Sequence, residues 1–142
     1  MCEKTTLLLA EWRSHKDLLL TVRYAVFVEE QGIPASIEID VDDEAAIHRL
    51  AIDAAGRPIG TARLLPDGQI GRVAVLREHR RKRVGSKLVK ALIQDATHHG
   101  YKQVMLHAQL RSLEFYEQLG FKARGDIFEE VGIPHREMIL DL

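Results

Sequence analysis

The sequence predicts a single α/β domain in which a mixed, mostly antiparallel sheet is flanked by helices. The length of 142 residues suits one domain with one core. Strand-like and helix-like apolar patterns alternate along the chain, and three successive strand-like runs are joined by short turns, as in an antiparallel meander. Hydrophobic residues at 46% and charged residues at 29% are typical of a globular protein.

The first half of the chain is predicted to contain four strands and one helix. In chain order these are a strand at residues 6–12, a helix at 15–30, an acidic loop to residue 44, strands at 47–54 and 59–65, and a strand starting at residue 70. The helix is inferred from Leu19, Val22 and Val26, which share one side, and Gly32 and Pro34 end it. The strands are inferred from short apolar runs between turns that contain glycine and proline.

The second half is predicted to contain two helices and two strands. In chain order these are a helix at residues 85–99, a strand at 103–108, a helix at 112–119 and a strand at 135–140. In the longer helix Leu88, Leu92 and Ala96 recur every four residues, the spacing of one helix face. Gly100 and Gly120 are predicted to end the two helices, because glycine commonly follows a helix C-terminus.

A basic turn joins the strand that contains Val75 to the longer helix. Residues 77–87 hold six lysines and arginines and one acidic residue. The first amides of a helix lack internal partners and carry the positive end of its dipole, so they attract an anion. Gly85 lets a ligand approach the backbone, and Ser86 adds a hydroxyl donor. The turn is predicted to bind phosphate, although a solvated turn or a nucleic-acid patch would use the same residue types.

Charge is unevenly distributed along the chain, although the net charge is only −1. Residues 29–44 contain seven acidic side chains and no lysine or arginine. One compact basic turn favours a small polyphosphate ligand over a nucleic-acid duplex, which requires a wider basic footprint. The acidic segment would either attract a cationic acceptor or form a solvated loop.

The remaining composition argues against several classes of protein. The longest apolar runs are far too short to cross a bilayer, and the N-terminal residues lack the pattern of a signal peptide, so a cytoplasmic protein is expected. Cys2 is the only cysteine, which excludes an internal disulfide and argues against a thiolate metal cluster, and no role is assigned to it. No metal is expected.

Two motifs resemble the GNAT superfamily of N-acetyltransferases. The spacing Arg80-x-x-Arg83-x-Gly85 resembles its pyrophosphate loop, usually Gln/Arg-x-x-Gly-x-Gly/Ala, with Arg83 standing at the first glycine. The segment LRSLEFYEQLGF, residues 110–121, resembles the superfamily's tyrosine helix. Residues 22–34, 107–109 and 129–135 resemble the ElaA/YjcF-type subgroup more narrowly, and the glyphosate N-acetyltransferases are also similar.

The resemblance implies a GNAT fold with acetyl-CoA as co-substrate. Backbone groups of Val73, Ala74 and Val75 would hold the pantetheine, the Val75 amide would stabilise the carbonyl oxyanion, and Gln109 could bond the pantetheine amides. The residues expected to cradle the pyrophosphate are Arg80, Arg81, Lys82, Arg83, Val84, Gly85 and Ser86.

The same resemblance suggests two catalytic residues. Tyr116 would be the general acid at the leaving thiolate, since a tyrosine stays protonated at neutral pH; the alternative is a core aromatic. His135 matches the base of the glyphosate-type enzymes, and a histidine pKa near 6.5 suits an acceptor of an ammonium proton. His48 and Glu30 are alternative bases, and His135 could instead be a structural strand-end residue.

The acceptor is the least defined part of this hypothesis. Arg23 and Arg72 match acceptor-side arginines of the glyphosate-type enzymes and would suit an anionic amine. Gln109 replaces a third such arginine, and Arg72 could equally pair with the acidic loop. The expected activity is N-acetylation of a small-molecule or peptide amine. No nucleic-acid or membrane partner is expected, and whether the protein forms a homodimer is left open. The alternatives are a non-catalytic acyl-CoA sensor and a nucleic-acid-binding module that uses residues 80–83.

Overall fold

A seven-stranded sheet with helices packed against it forms the computed structural model of the protein, which describes residues 4–142. The strands are β1 Thr6–Ala10, β2 Ile47–Ile52, β3 Pro58–Leu64, β4 Gln69–Val75, β5 Gln103–Gln109, β6 Lys122–Glu130 and β7 Ile133–Asp141. The α-helices are α1 Trp12–Arg23, α2 Val84–His98 and α3 Leu113–Gln118. The strand order is β1-β2-β3-β4-β5-β7-β6, and only β4 and β5 pair in parallel. The predicted mixed, mostly antiparallel α/β fold is therefore confirmed.

Most predicted elements agree with the structure to within two residues at each end. The helix predicted at 15–30 differs more, because α1 begins at Trp12 and continues past Arg23 as the wider turns of a π-helix over Tyr24–Glu30. This π-helix packs Val26 against Ala74 of β4. Its end therefore lies close to the C-terminal end of β4, where the basic turn begins. Cys2 lies outside the described residues.

The strand β6 was not predicted from the sequence. It is an edge strand that pairs only with β7, and most of its residues are exposed, so it lacks the alternation of apolar and polar residues that signals a strand. Val131 and Gly132 form the two-residue turn to β7, with φ angles of 47° and 74°. A β-branched residue rarely adopts such a positive φ, which explains why this turn was not recognised.

The core lies between the sheet and α2. Leu88 and Leu92 of α2 are fully buried, as their four-residue spacing predicts. The other large apolar side chains in this core include Ile59, Leu64, Ile70, Leu106 and Met138. In the described part of the chain no helix is both long and apolar enough to span a membrane.

The sheet opens between β4 and β5. These strands pair only at Gln69 with Met105 and at Ile70 with Leu106, and they separate beyond those residues. On the other side of β4 the register with β3 shifts at a bulge, where Arg72 has a φ of 51°. A bulge bends its strand, so it turns the end of β4 away from β5. The separation leaves the edges of both strands unpaired and available to a ligand.

Candidate active site

A cleft of about 950 Å³ fills the gap between β4 and β5. It is continuous from the basic turn to the side of the sheet formed by β5, β6 and β7. Of the residues predicted for the site, the cleft is lined by Arg72, Val73, Ala74, Val75, Arg80, Arg81, Arg83, Val84, Gly85, Ser86, Gln109, Tyr116 and His135. The structure therefore brings together most of the residues that the sequence suggested for the donor and for catalysis.

The edge of β4 offers unpaired main-chain groups to this cleft. The N–H of Leu76 donates to the Ile59 oxygen in β3 at 2.9 Å. Successive residues of a strand turn their main-chain groups to opposite sides, so the N–H of Val75 and that of Val73 face the gap. An extended ligand with amide groups can pair with such an edge as an added strand would.

The basic turn has an unusual backbone. Arg81 and Arg83 have φ angles of 64° and 63°, in the left-handed region that favours glycine. Arg83 is the residue that caps the N-terminus of α2, so the conformation that the family motif assigns to a glycine is adopted here by an arginine. The side chains of Arg81 and Arg83 are exposed, and the first free amides of α2 lie beside them.

Replacing Arg83 with glycine is expected to stabilise the fold by about 1 kcal/mol, because glycine adopts a left-handed conformation without the Cβ clash. The free energy of unfolding in urea measures this effect. Lys82→Gly is the matched control, since Lys82 has no positive φ and its replacement by glycine relieves no Cβ clash. An Arg83→Gly protein no more stable than the parent would contradict this interpretation of the turn.

Arg80 holds the turn in place through protein contacts. Its Nη1 and Nη2 donate to both carboxylate oxygens of Glu30 at 2.7 and 2.6 Å, and its Nε donates to the Val75 oxygen at 2.9 Å. These hydrogen bonds from Arg80 hold the pKa of the Glu30 carboxyl below its usual value. Glu30, one of the alternative bases, thus has a charged partner and lines a neighbouring groove instead of the main cleft.

The acidic segment is a partner of three arginines and not a solvated loop. Arg23 contacts Glu38 and Asp43, Arg63 contacts Asp40 and Asp43, and Arg72 contacts Glu38 and Asp40. The distances to Asp43 are 2.8 Å from Arg23 Nη1 and 2.9 Å from Arg63 Nη1. Three carboxylates therefore balance three guanidinium groups, of which only Arg63 and Arg72 reach the cleft.

Arg23, suggested for the acceptor side, and His48, an alternative base, both lie outside the cleft. Arg23 is 1% exposed and packs its guanidinium over the Trp12 ring at 5.6 Å. His48 stacks on the same ring at 5.2 Å, and its Nε2 donates to the main-chain oxygen of Asp43 at 2.7 Å. Burial lowers the pKa of His48 below the usual histidine value. The structure places both residues in the packing beneath the acidic segment.

The buried carboxylate of Asp43 is expected to make the fold sensitive to acid. Burial alone would raise the pKa of Asp43, but hydrogen bonds from Arg23 and Arg63 and the charge of Arg23 lower it. The stabilisation is complete above the unfolded pKa of about 4 and is lost as the pH falls through the lower folded pKa. The urea midpoint should therefore fall as the pH is lowered below about 4, and Asp43→Asn should remove part of that slope. Identical slopes for parent and variant would contradict this assignment.

Tyr116 of α3 lies at the inner wall of the cleft. It is 8% exposed and packs edge-on against Phe115 and Phe121. Burial raises the pKa of the Tyr116 hydroxyl far above its ordinary value of about 10. Among the described residues no hydrogen-bond partner of this hydroxyl is present, so it can donate to a ligand in the cleft.

His135 lies in β7 opposite Gln109 of β5. Its Nδ1 is 2.6 Å from the Ile133 oxygen, and its ring stacks on Phe128. Since a carbonyl oxygen only accepts, the proton resides on Nδ1 and the neutral ring has its lone pair at Nε2. Gln109 donates to Gln31 at 3.1 Å. Both His135 and Gln109 line the cleft, as the site hypothesis requires.

Sequence reasoning missed two residues beside His135. One carboxylate oxygen of Glu130, Oε2, lies 3.6 Å from His135 Nε2. The other oxygen, Oε1, accepts a hydrogen bond from His107 Nδ1 at 3.0 Å. Both residues line the cleft. They fall in the segments 107–109 and 129–135 that carried the subgroup resemblance, which was the available signal. Within residues 4–142 no group of three or more histidine, cysteine or carboxylate side chains is arranged to hold a metal ion.

Comparison with known sequences gives a consistent family. The model of the acetyltransferase (GNAT) domain matches residues 17–142. The uncharacterized N-acetyltransferase YjcF of Bacillus subtilis is 36% identical over 124 residues, which cover 84% of this chain and 88% of that protein. Protein ElaA of Escherichia coli is 34% identical over 142 residues, covering 88% of this chain and 92% of that protein. The resemblance to the ElaA/YjcF-type subgroup is confirmed.

Comparison with solved structures agrees with the family found from the sequence. The crystal structure of Escherichia coli ElaA superposes with a TM-score of 0.80 at 32% identity, covering 97% of this chain and 99% of that one. An aminoglycoside 6′-N-acetyltransferase complexed with coenzyme A gives a TM-score of 0.78 at 17% identity, covering 96% of each chain. At that identity the second likeness concerns the fold alone.

Proposed function

The chain belongs to the acetyltransferase (GNAT) domain family, and from this premise we propose that it transfers an acetyl group from acetyl-CoA to the amine of a small molecule or peptide. The observation that carries the proposal is the single cleft, which joins the start of α2, the open edge of β4, Tyr116 and His135. We further propose that residues 1–142 act as one catalytic domain.

The donor would bind along the basic turn and β4. The main-chain groups of Val73 that face the gap would pair with an amide of the pantetheine. The Val75 oxygen already accepts from Arg80 Nε, which leaves the Val75 N–H for the acetyl carbonyl. The pyrophosphate would lie on the free amides at the start of α2, where the helix dipole and the exposed Arg81 and Arg83 favour an anion. The bidentate contact of Arg80 with Glu30 gives Arg80 the role of fixing the turn.

The transfer requires three contributions from the protein. His135 Nε2 would take a proton from the acceptor, so that the neutral amine can attack the acetyl carbonyl. The N–H of Val75 would stabilise the oxyanion that forms as the C–N bond is made. As the C–S bond breaks, the Tyr116 hydroxyl would donate to the departing thiolate, which is a stronger base in apolar surroundings than in water.

A screen of amines tests this function. The purified protein is incubated with acetyl-CoA and a panel of small amines and peptides, and the release of free CoA thiol is measured together with the mass of the acetylated product. Transfer to at least one amine is expected. CoA binding without transfer to any amine would indicate a non-catalytic acyl-CoA sensor. A salt-sensitive gel shift with nucleic acid, without CoA binding, would indicate a nucleic-acid-binding module.

The pH dependence tests the role of His135. The rate should rise as the pH is raised from acidic values, because the base must be neutral to take a proton from the acceptor. In His135→Gln the rate should be about a hundredfold lower and should lose this acidic limb. His98→Gln, at the exposed end of α2, is the matched control. A variant at His135 with the parent's rate and pH profile would assign the base to another group.

A further inference from the structure

A cluster on the β5, β6 and β7 side of the cleft links two histidines through one carboxylate. Glu130, at the end of β6, accepts from His107 Nδ1 at 3.0 Å. Its other oxygen lies 3.6 Å from His135 Nε2. Phe128 packs its ring edge-on to His107 at 5.0 Å and stacks on His135 at 6.0 Å. The three polar groups are therefore held in fixed positions around one point of the cleft wall.

The hydrogen bonds fix which atoms can still accept. His135 donates its Nδ1 proton to the Ile133 oxygen, so Nε2 of the neutral ring carries a lone pair. His107 donates to one oxygen of Glu130 and leaves the other oxygen turned to His135. When the His135 ring is neutral, two acceptors, one of them negatively charged, thus face each other at 3.6 Å. A positively charged donor complements this arrangement.

We propose that Glu130 and His135 Nε2 together bind the ammonium group of a cationic primary amine, and that His107 positions Glu130 for this contact. The inference rests on the proposed function, because the amine would be the acceptor of the acetyl group.

The arginines near the cleft support this choice of acceptor. Arg63 and Arg72, the arginines beside the acidic segment, already pair with Glu38, Asp40 and Asp43, so neither is free to bind a carboxylate on the acceptor. The acidic segment therefore neutralises the positive charge of these two arginines. The carboxylate of Glu130 lies on the cleft wall, with His107 as its hydrogen-bond donor.

The same geometry suits the proton transfer. The ammonium would give one proton to His135 Nε2, which leaves the amine neutral with a lone pair for attack and makes His135 an imidazolium. The positive charge moves from one neighbour of Glu130 to another, so the carboxylate attracts it before and after the transfer. Glu130 therefore binds the acceptor without opposing its deprotonation.

Binding of n-butylammonium chloride tests this proposal without any need for turnover. The histidine ring nitrogens of ¹⁵N-labelled protein are followed by NMR while the amine is titrated, and n-butanol serves as the uncharged matched ligand. The His107 and His135 signals are expected to shift and saturate with n-butylammonium, and with n-butanol only at concentrations at least about tenfold higher. Glu130→Gln should weaken n-butylammonium binding at least about tenfold. Glu129→Gln, the exposed neighbour outside the cleft, should not change it.

Either of two results would overturn the proposal: binding to Glu130→Gln as tight as to the parent, or equal affinity for n-butanol and n-butylammonium. CoA affinity is measured in every variant to show that the rest of the cleft is intact. Because the titration measures binding and not acetyl transfer, its result is independent of the amine screen. If no amine is acetylated but n-butylammonium binds as expected, only the proposed function is rejected. If an amine is acetylated but n-butylammonium binding does not depend on Glu130, only this inference is rejected.

Discussion

Replacing Gly85 with aspartate is expected to lower the affinity for CoA by about a hundredfold or more. Gly85 lies in the first turn of α2, where the pyrophosphate would bind. Like charges a few ångströms apart near a protein surface repel by about 4 kcal/mol, and about 2.8 kcal/mol corresponds to a hundredfold change. Calorimetric titration with CoA measures the effect.

Two further variants show whether the loss is electrostatic. A Cβ on Gly85 would lie 3.5 Å from Phe115 Cζ and 3.6 Å from Val75 Cγ2, which are ordinary contact distances. Gly85→Ala should therefore fold as the parent does, and because the family motif accepts alanine at this position it should lose less CoA affinity than Gly85→Asp. Arg81→Ala removes one exposed charge and should weaken binding only several-fold, since the amides carry most of the contact. CoA binding to Gly85→Asp at the parent's affinity would exclude the turn as the pyrophosphate site.

Replacing Tyr116 with phenylalanine is expected to lower the acetyl-transfer rate by about a hundredfold, as for other positioned acids. The hydroxyl is buried, its pKa is strongly raised, and among the described residues it has no hydrogen-bond partner. It is thus protonated at neutral pH and free to donate to the departing thiolate. Single-turnover kinetics with a saturating amine measures the chemical step.

The free energy of unfolding and the CoA affinity of Tyr116→Phe should match the parent, because the change removes no protein hydrogen bond and leaves the contacts with Phe115 and Phe121. Phe115→Leu is a useful comparison, because it alters packing in the same helix while keeping the hydroxyl. If Tyr116→Phe transfers acetyl groups at the parent's rate, with chemistry limiting, Tyr116 has no part in catalysis.

The parts of the site that the sequence predicted are those built from local patterns. A change from strand to helix periodicity around a glycine located the turn between β4 and α2, and the helix with Tyr116 followed a short apolar run ended by Gly120. Such signals depend on residues a few positions apart. The confirmed fold was within their reach, whereas the roles of Val73, Tyr116 and His135 in the cleft were suggested by the resemblance to the GNAT superfamily.

The rest depended on contacts between distant parts of the chain. Arg23 and Asp43 are 20 positions apart, and Arg72 and Asp40 are 32 apart, so spacing could not reveal that the acidic segment neutralises the arginines. The edge strand β6 showed no apolar alternation because most residues on both of its faces are exposed. Glu130 and His107 meet only because β5, β7 and β6 are neighbours in the sheet.

A crystal structure with a ketone analogue of acetyl-CoA, which cannot transfer its acyl group, tests the central claim most directly. The pantetheine should pair with the main chain of Val73, and the ketone oxygen should accept from the Val75 N–H. The pyrophosphate should lie on the first amides of α2, and the sulfur should lie within hydrogen-bond reach of the Tyr116 hydroxyl. An analogue bound outside the gap between β4 and β5, or with its sulfur remote from Tyr116, would contradict the account.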